Sequence, residues 1–357
     1  MDDRKALMAA IIANPDEDTP RLALADWLQE HGDTHDQARA EFIRLQIEAA
    51  RLPEGDAVRK KLDASAKKLE KKHFAAWIAP LLTFDKTRTV ADEVGRPFLR
   101  GLYQFVLIGS PQLLHKDSQP LIADALAAIG VEELLAGTTK RIKELASCPA
   151  IRWVARFSYA GADDAALEAF ATSPNFTHLS GLELGESTAT DVGLKAFAKT
   201  SGMTRLTSLG IASGGGDTKP RGKYTVAGIL ALLHSERFPL LISLDLENDQ
   251  PVKFDWKTFF ADTSLKRLNC LRLRSGEPVA TLAACRHLTN VREIRINSGV
   301  ITDDDANTLL ANSAFAKLTK LYMYGTNWGR PRLSKPVEKR LRDRFGKTVL
   351  NYAPEER

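Results

Sequence analysis

The most regular feature of the chain is a spacing of apolar positions, L-x-x-L-x-L with L any medium apolar residue, that recurs from about residue 98 onward. Leu102/Phe105/Leu107, Val131/Leu134/Ala136, Val154/Phe157/Tyr159, Leu179/Leu182/Leu184 and Leu206/Leu209/Ile211 fit it. So do Leu241/Leu244/Leu246, Leu268/Leu271/Leu273, Val291/Ile294/Ile296 and Leu318/Leu321/Met323. Successive central positions are 23 to 29 residues apart, except one interval of 35 that contains the loop-like SGGGDTKPRGKY. Alternation at period two predicts a short strand at each site, with L positions inward and the residues between them outward. Between the strands, DDAALEAFATS, TDVGLKAFAKTSG, TVAGILALLHS and TDDDANTLLANSA open on Thr or Asp and carry apolar residues three and four apart. Each of these predicts a helix with a polar cap.

Ahead of the array the period is helical throughout. Leu7, Ala10 and Ile11 predict a helix over Lys5 to Ala13, closed by Asn14-Pro15. Thr19-Pro20 reads as the capped start of a second helix, which ends at Gly32 in an expected left-handed conformation. Asp33 or Thr34 would cap a third, carrying Ala38, Phe42, Leu45 and Ala49. Three such helices can close a core around Trp27 and Phe42, but about fifty residues bury little surface, so the module is expected to lean on the downstream chain. Residues 53–82 read as one more amphipathic helix, with Leu62, Ala66, Leu69, Phe74, Trp77 and Ile78 on its buried side.

These motifs carry two resemblances. NPDEDTPRLALADWLQEHGD and ARAEFIRLQ resemble the bacterial repeat-companion domain over roughly residues 4–48, a family that carries no activity to transfer. The array resembles leucine-rich repeats of the longer, helix-containing kind over 98–330. Together they imply an α/β chain: a leucine-rich repeat solenoid with parallel strands on a concave face and helices on the convex one, behind a small all-α N-terminal domain. The expected organisation is a helical domain at 1–52, a basic helix and linker at 53–97, repeats at 98–330, and a capping helix and tail at 331–357.

Composition adds limits. Of 357 residues, 44% are hydrophobic and 27% charged, with 50 basic against 45 acidic residues and a net charge of +5. No apolar run approaches the roughly 20 residues that span a bilayer, and no secretory signal is evident, so a cytoplasmic protein without a membrane partner is expected. Cys148, Cys270 and Cys285 have no metal or redox spacing. Cys148 and Cys285, like Ser173, Thr200, Ser235, Asp262 and Asn312, fall at an expected tight helix-to-strand corner, nine residues before each central apolar position. Cys270 is expected half-exposed on a strand.

The chain has no P-loop, dinucleotide glycine motif, G-x-S-x-G elbow or histidine metal pair. Asp26, His31, Asp33 and Glu41 are read as capping and helix-end charges, Arg39 as an ion-pair member, and Asp303-Asp304-Asp305 as a helix start. No catalytic residue, metal or cofactor is expected. A protein-interaction scaffold is, with a smooth early concave face (Val106, Ile108, Ser158, Ala160, Gly181, Gly185, Ser208, Gly210) interrupted by Arg156 and Glu183. The polar content lies late. Lateral pairing of Asp245 with Arg272, Glu247 with Arg274 and Glu293 with Lys320 would neutralise much of it. The expected partner-binding set is Arg272, Arg274, Arg295, Asn297, Lys320, Tyr322 and Tyr324, for a partner protein with an acidic surface. The alternative is nucleic acid or another polyanion on Lys60, Lys67, Lys68 and Lys71 of the connector and Arg340 and Arg344 of the tail.

Overall fold

A computed structural model describes residues 3–53, 55–82, 98–212, 224–247, 254–273, 279–297, 301–325, 333–346 and 349–352. The chain is α/β, with a small helical region at its N-terminus and parallel strands alternating with helices after it. It divides into two compact units, Met1–Ser158 with Ser173–Ser180, and Tyr159–Thr172 with Gly181–Arg357.

In the first unit four helices come before any strand: α1 (Asp3–Ala13), α2 (Thr19–His31), α3 (Thr34–Ala50) and α4 (Ala57–Leu82). Ile11, Ala25, Leu28, Ala40 and Ile43 meet in their core, joined by Leu102 from the repeat region. Trp27 sits at the margin of this core. Phe42 turns instead toward α4, with ring centroids 5.0 Å from Trp77 and 5.5 Å from Phe98. The core is therefore aliphatic at its centre, because small and branched residues at the crossing let three short helices approach closely.

Two expected caps of α2 are corrected. The helix already contains Thr19, and Asp18 precedes it without a side-chain cap bond. The Asp18 carboxylate pairs with Arg51 at 3.0 Å and Arg100 at 3.4 Å. Gly32 is extended, with φ −88°. A Cβ there would stand 2.3 Å from the Cβ of Asp36, so close approach, not left-handed backbone, demands glycine. Asp33 does cap α3, its carboxylate accepting from the amides of His35 and Asp36.

The helical region leans on the downstream strands. Gln46 accepts from Gly101 N at 2.8 Å and donates to Phe98 O at 3.1 Å. Arg4 donates to Ala128 O at 3.1 Å, and Arg39 to Gly101 O at 2.5 Å and Ile129 O at 3.1 Å. Among the described residues Arg39 forms no ion pair, against expectation; carbonyls and the Trp77 and Phe98 rings hold it.

The strand β1 (Phe98–Leu99) pairs antiparallel with β2 (Leu102–Ile108), and β2 pairs parallel with β3 (Val131–Ala136). The register sets Tyr103 against Val131, Val106 against Leu134 and Ile108 against Ala136. Tyr103, Val106 and Ile108 are buried while Leu107 is 40% exposed. The first repeat is thus shifted by one residue from the expected Leu102/Phe105/Leu107, and Val106 and Ile108 are core, not surface. LYQFVLI is apolar at almost every position, so alternation cannot fix its phase, and a one-residue slip exchanges the two faces. After β2 come α5 (Ser110–Leu114) and α6 (Ser118–Ile129), then α7 (Ile142–Ala146) after β3. The strand β4 (Arg156–Ala160) spans the boundary of the units.

In the second unit, β5 (Gly181–Gly185), β6 (Ser208–Ala212), β7 (Ser243–Glu247), β8 (Cys270–Leu273), β9 (Glu293–Asn297), β10 (Lys320–Gly325) and β11 (Leu350–Tyr352) pair in chain order, all parallel. Leu182, Leu209, Leu244, Leu271, Ile294 and Leu321 form one aligned inward row, none more than 2% exposed. The helices are α8 (Asp164–Thr172), α9 (Asp191–Thr200), α10 (Val226–Leu233), α11 (Trp256–Phe260), α12 (Val279–Ala283), α13 (Asp303–Ala311) and α14 (Lys335–Phe345).

Polar side chains tie successive helices together. Asp164 accepts from the amide and hydroxyl of Thr190, and Asp191 from those of Thr225, so an acid of one helix holds the cap residue of the next. Asp303 repeats this toward Ser334 N at 2.8 Å. Thr302 and Asp305 form a reciprocal capping box, which accounts for the acidic run as a helix start. The corners also recur: Cys285 Sγ contacts Phe260 O at 3.3 Å and Asn312 Nδ2 donates to Ala283 O at 2.8 Å. In the α9 repeat the buried corner residue is Ser201, whose Oγ accepts from Met203 N, and not Thr200, which is exposed.

Candidate functional site

The face of the strands opposite the inward row is set by the same register. From β7 to β10 it aligns Asp245, Arg272, Arg295 and Tyr322 as direct neighbours. A second row aligns Ser243, Cys270, Glu293 and Lys320. Both rows are those the sequence pattern predicts, because parallel strands without insertion keep a two-residue alternation in phase.

Their contacts are uneven. Arg272 Nη1 lies 4.0 Å from the buried carboxylate of Asp245, the outer limit of an ion pair, with its side chain 42% exposed. Its Nε is sequestered without a hydrogen-bond partner. Arg295 is held more firmly: Nε donates to Glu293 Oε1 at 2.6 Å, and the guanidinium lies 4.9 Å from the Tyr322 ring centroid. Lys320 stands opposite Glu293 in register, yet the Glu293 carboxylate turns to Arg295 within its own strand. The exposed Lys320 has no ion pair among the described residues.

Tyr324 and Asn297 pair as backbone neighbours, but their side chains, like that of Glu247, lie outside the described residues, as does Arg274. The early part of the face is less smooth than its small residues suggest. A Cβ on Gly210 would collide with the Glu183 carboxylate, so Glu183 lies across Gly210 from the adjacent strand.

Cys270 is half-buried in the second row, 4.0 Å from Glu293 Oε1. Burial first, and then the Glu293 charge, raises its thiol pKa, as burial does for Cys148 and Cys285. Protonated thiols are poor nucleophiles. Among the described residues no three His, Cys, Asp or Glu side chains gather as metal ligands.

The two basic segments are built differently. On α4, Lys60, Lys67, Lys68 and Lys71 are exposed and no ion pair engages them among the described residues. On α14, Arg344 donates to Leu310 O at 3.0 Å and Phe315 O at 2.9 Å, and Arg340 to Asn307 Oδ1 at 2.6 Å. Those two arginines fasten α14 to the helical residues before β10.

Neither a known protein-family model nor a curated protein matches this chain. Sequence reasoning missed three features of the first unit: the buried Arg39 guanidinium, the 3.0 Å contact of His35 Nδ1 with His73 Nδ1, and the burial of His73. Only the helical spacing of His73 and Trp77, which share a face of α4, carried any signal for them.

Among the described residues no helix is long and apolar enough to cross a membrane.

Proposed function

We propose that the chain is a non-catalytic protein-interaction scaffold, a leucine-rich-repeat-like solenoid whose outward strand row at β8 to β10 binds an acidic protein surface. The observation that carries this reading is the adjacency of Arg272 and Arg295, with Tyr322 next in the same row. Two neighbouring guanidiniums repel unless anions join them. Arg295 has Glu293 at 2.6 Å, whereas the carboxylate nearest Arg272 among the described residues is that of Asp245 at 4.0 Å. Arg272 is thus the more loosely held cation of the two and the better placed to attract an outside anion. Arginine and tyrosine on a rigid sheet lose little conformational freedom on binding and dominate interface energetics. The residues assigned to the contact are Arg272, Arg295, Lys320 and Tyr322, with Arg274, Asn297 and Tyr324 continuing the rows.

The test is affinity capture with the wild-type chain and with the triple variant Arg272→Ala, Arg295→Ala, Tyr322→Ala, read by quantitative mass spectrometry. The expected result is loss of specific partners while the thermal midpoint changes little. Undiminished capture would overturn the assignment.

The four lysines of α4, without an ion pair among the described residues, favour a second reading, polyanion binding on that helix. It predicts salt-sensitive retention on heparin that Lys60→Glu, Lys67→Glu, Lys68→Glu and Lys71→Glu together abolish. No retention at low salt would eliminate it.

A further inference from the structure

The first unit holds a partly open cavity of about 260 Å³ where α1, α2, α3 and α4 meet the start of β2 and the end of α6. One part of its wall is apolar, with Met8, Leu24, Leu28 and Ile43, and Trp77 and Pro80 of α4 close another side. Set into that wall is the Arg39 side chain, 7% exposed.

Arg39 is the unusual member of this lining. Its Nη2 donates to Gly101 O and Ile129 O, while Nε and Nη1 have no hydrogen-bond partner among the described residues. The guanidinium is stacked 4.3 Å from the Phe98 ring centroid and 5.0 Å from that of Trp77. Asp36 and Glu70 are the nearest compensating charges, but Asp36 pairs with Arg4 at 3.2 Å, Asp33 caps α3, and among the described residues no carboxylate makes a direct ion pair with Arg39. A buried cation with no carboxylate in direct contact is costly. Burial first, then the nearby Arg4 charge, pushes the Arg39 pKa down to about 9.

A bare anion would satisfy the charge but leave the apolar wall against water, and an apolar molecule would do the reverse. We propose that this cavity binds a small organic carboxylate, its oxygens on the Nε and Nη1 donors of Arg39 and its apolar body against Met8, Leu24, Leu28 and Ile43. The size agrees, since a cavity of about 150 Å³ holds a benzene ring, and 260 Å³ leaves room for a carboxylate and a short arm. The charge also decides polarity. Asp33 and Asp36 also line the cavity, but an ammonium seated on the Nε and Nη1 donors of Arg39 would meet a like charge, and a neutral isostere would give those donors no anionic acceptor.

Benzoate is the probe, measured by calorimetry and by the rise in thermal midpoint that a native-state ligand gives by mass action. The full-length chain should bind it saturably at one site in the millimolar range or tighter, with benzyl alcohol, benzylamine and inorganic phosphate each at least about tenfold weaker, a difference of about 1.4 kcal/mol. Arg39→Met should abolish benzoate binding. Because Arg39 also holds two backbone carbonyls and its loss endangers folding, Ala76→Leu is the second variant: it fills the lining from α4, leaves Arg39 in place and should equally abolish binding. No saturable benzoate signal, equal binding of benzyl alcohol, or undiminished binding in a folded Ala76→Leu protein would overturn the proposal. Any of these would leave the strand-row reading untouched, since the cavity and those rows share no residue.

Discussion

The Arg295 guanidinium lies over the Tyr322 ring at 4.9 Å from its centroid, across the boundary between two paired parallel strands. The contact exists only because the strand register makes these two residues direct neighbours. The same guanidinium donates its Nε to Glu293 Oε1 at 2.6 Å, so two partners hold it. A double-mutant cycle of Arg295→Met and Tyr322→Leu should give a coupling of about 0.5–1 kcal/mol in urea unfolding, the range for a half-exposed cation–π pair. A coupling near zero would mean that the two side chains do not meet in solution.

The phase of the first repeat makes a sharper prediction. Val106 is buried and Leu107 is 40% exposed, the reverse of what the spacing pattern assigns. Val106→Asp should cost several kcal/mol or prevent folding, because it buries an unpaired charge. Leu107→Asp should change stability by at most about 1 kcal/mol. Comparable losses at both positions would return the strand to the slipped register.

The acids that link one helix to the next are stability determinants. Asp191 accepts from Thr225 N and Oγ1, both at 2.7 Å, and from Gly228 N at 3.1 Å. Removing it by Asp191→Ala strands these donors at the start of α10 and should cost about 1–3 kcal/mol in chemical denaturation. A neutral effect would show that water replaces the carboxylate.

His73 gives the first unit a pH dependence. Its ring is buried, and desolvation, followed by the charges of Lys72 and His35, lowers its pKa. Its Nδ1 faces that of His35 at 3.0 Å, with Trp77 stacked on its ring and Asp33 and Asp36 near the start of α3. A histidine held below its unfolded pKa binds fewer protons folded than unfolded, so stability must fall as pH drops through about 6.5. The thermal midpoint should therefore decrease between pH 7.5 and 5.5, and His73→Gln should flatten the dependence. An unchanged slope in that variant would place the responsible group elsewhere.

Much of this architecture was legible in the residues. The spacing located the strands of the second unit and both outward rows, because the apolar positions from Leu182 to Leu321 alternate with small or polar residues. The capping signals of Asp33 and Thr302 held, since a short polar side chain before an apolar run has one nearby use. The reading failed where the local signal was degenerate. LYQFVLI has no polar residue at the position that decides its phase, and Thr19 was outcompeted by the geometry around Asp18, whose carboxylate is taken by two arginines distant in sequence. Arg39 was illegible for the same reason: Gly101, Phe98 and Ile129, which hold it, are about sixty to ninety residues away. On the candidate face the backbone neighbours were foreseen, while the choice of Glu293 between Arg295 and Lys320 rested on rotamers that spacing does not encode.

The register across β7 to β10 sets the proposed interaction face, and Cys270 offers a direct measurement of it. Ser243 is the backbone neighbour of Cys270, and adjacent parallel strands hold such Cα atoms about 4.8 Å apart, within disulfide reach. Mild oxidation of Ser243→Cys should therefore produce an intramolecular disulfide to Cys270, seen by mass spectrometry of the digested protein and absent when Cys270→Ser is added. Two free thiols after oxidation, or a bridge from the introduced cysteine to Cys148 or Cys285 instead, would contradict the strand alignment and with it the row of Asp245, Arg272, Arg295 and Tyr322.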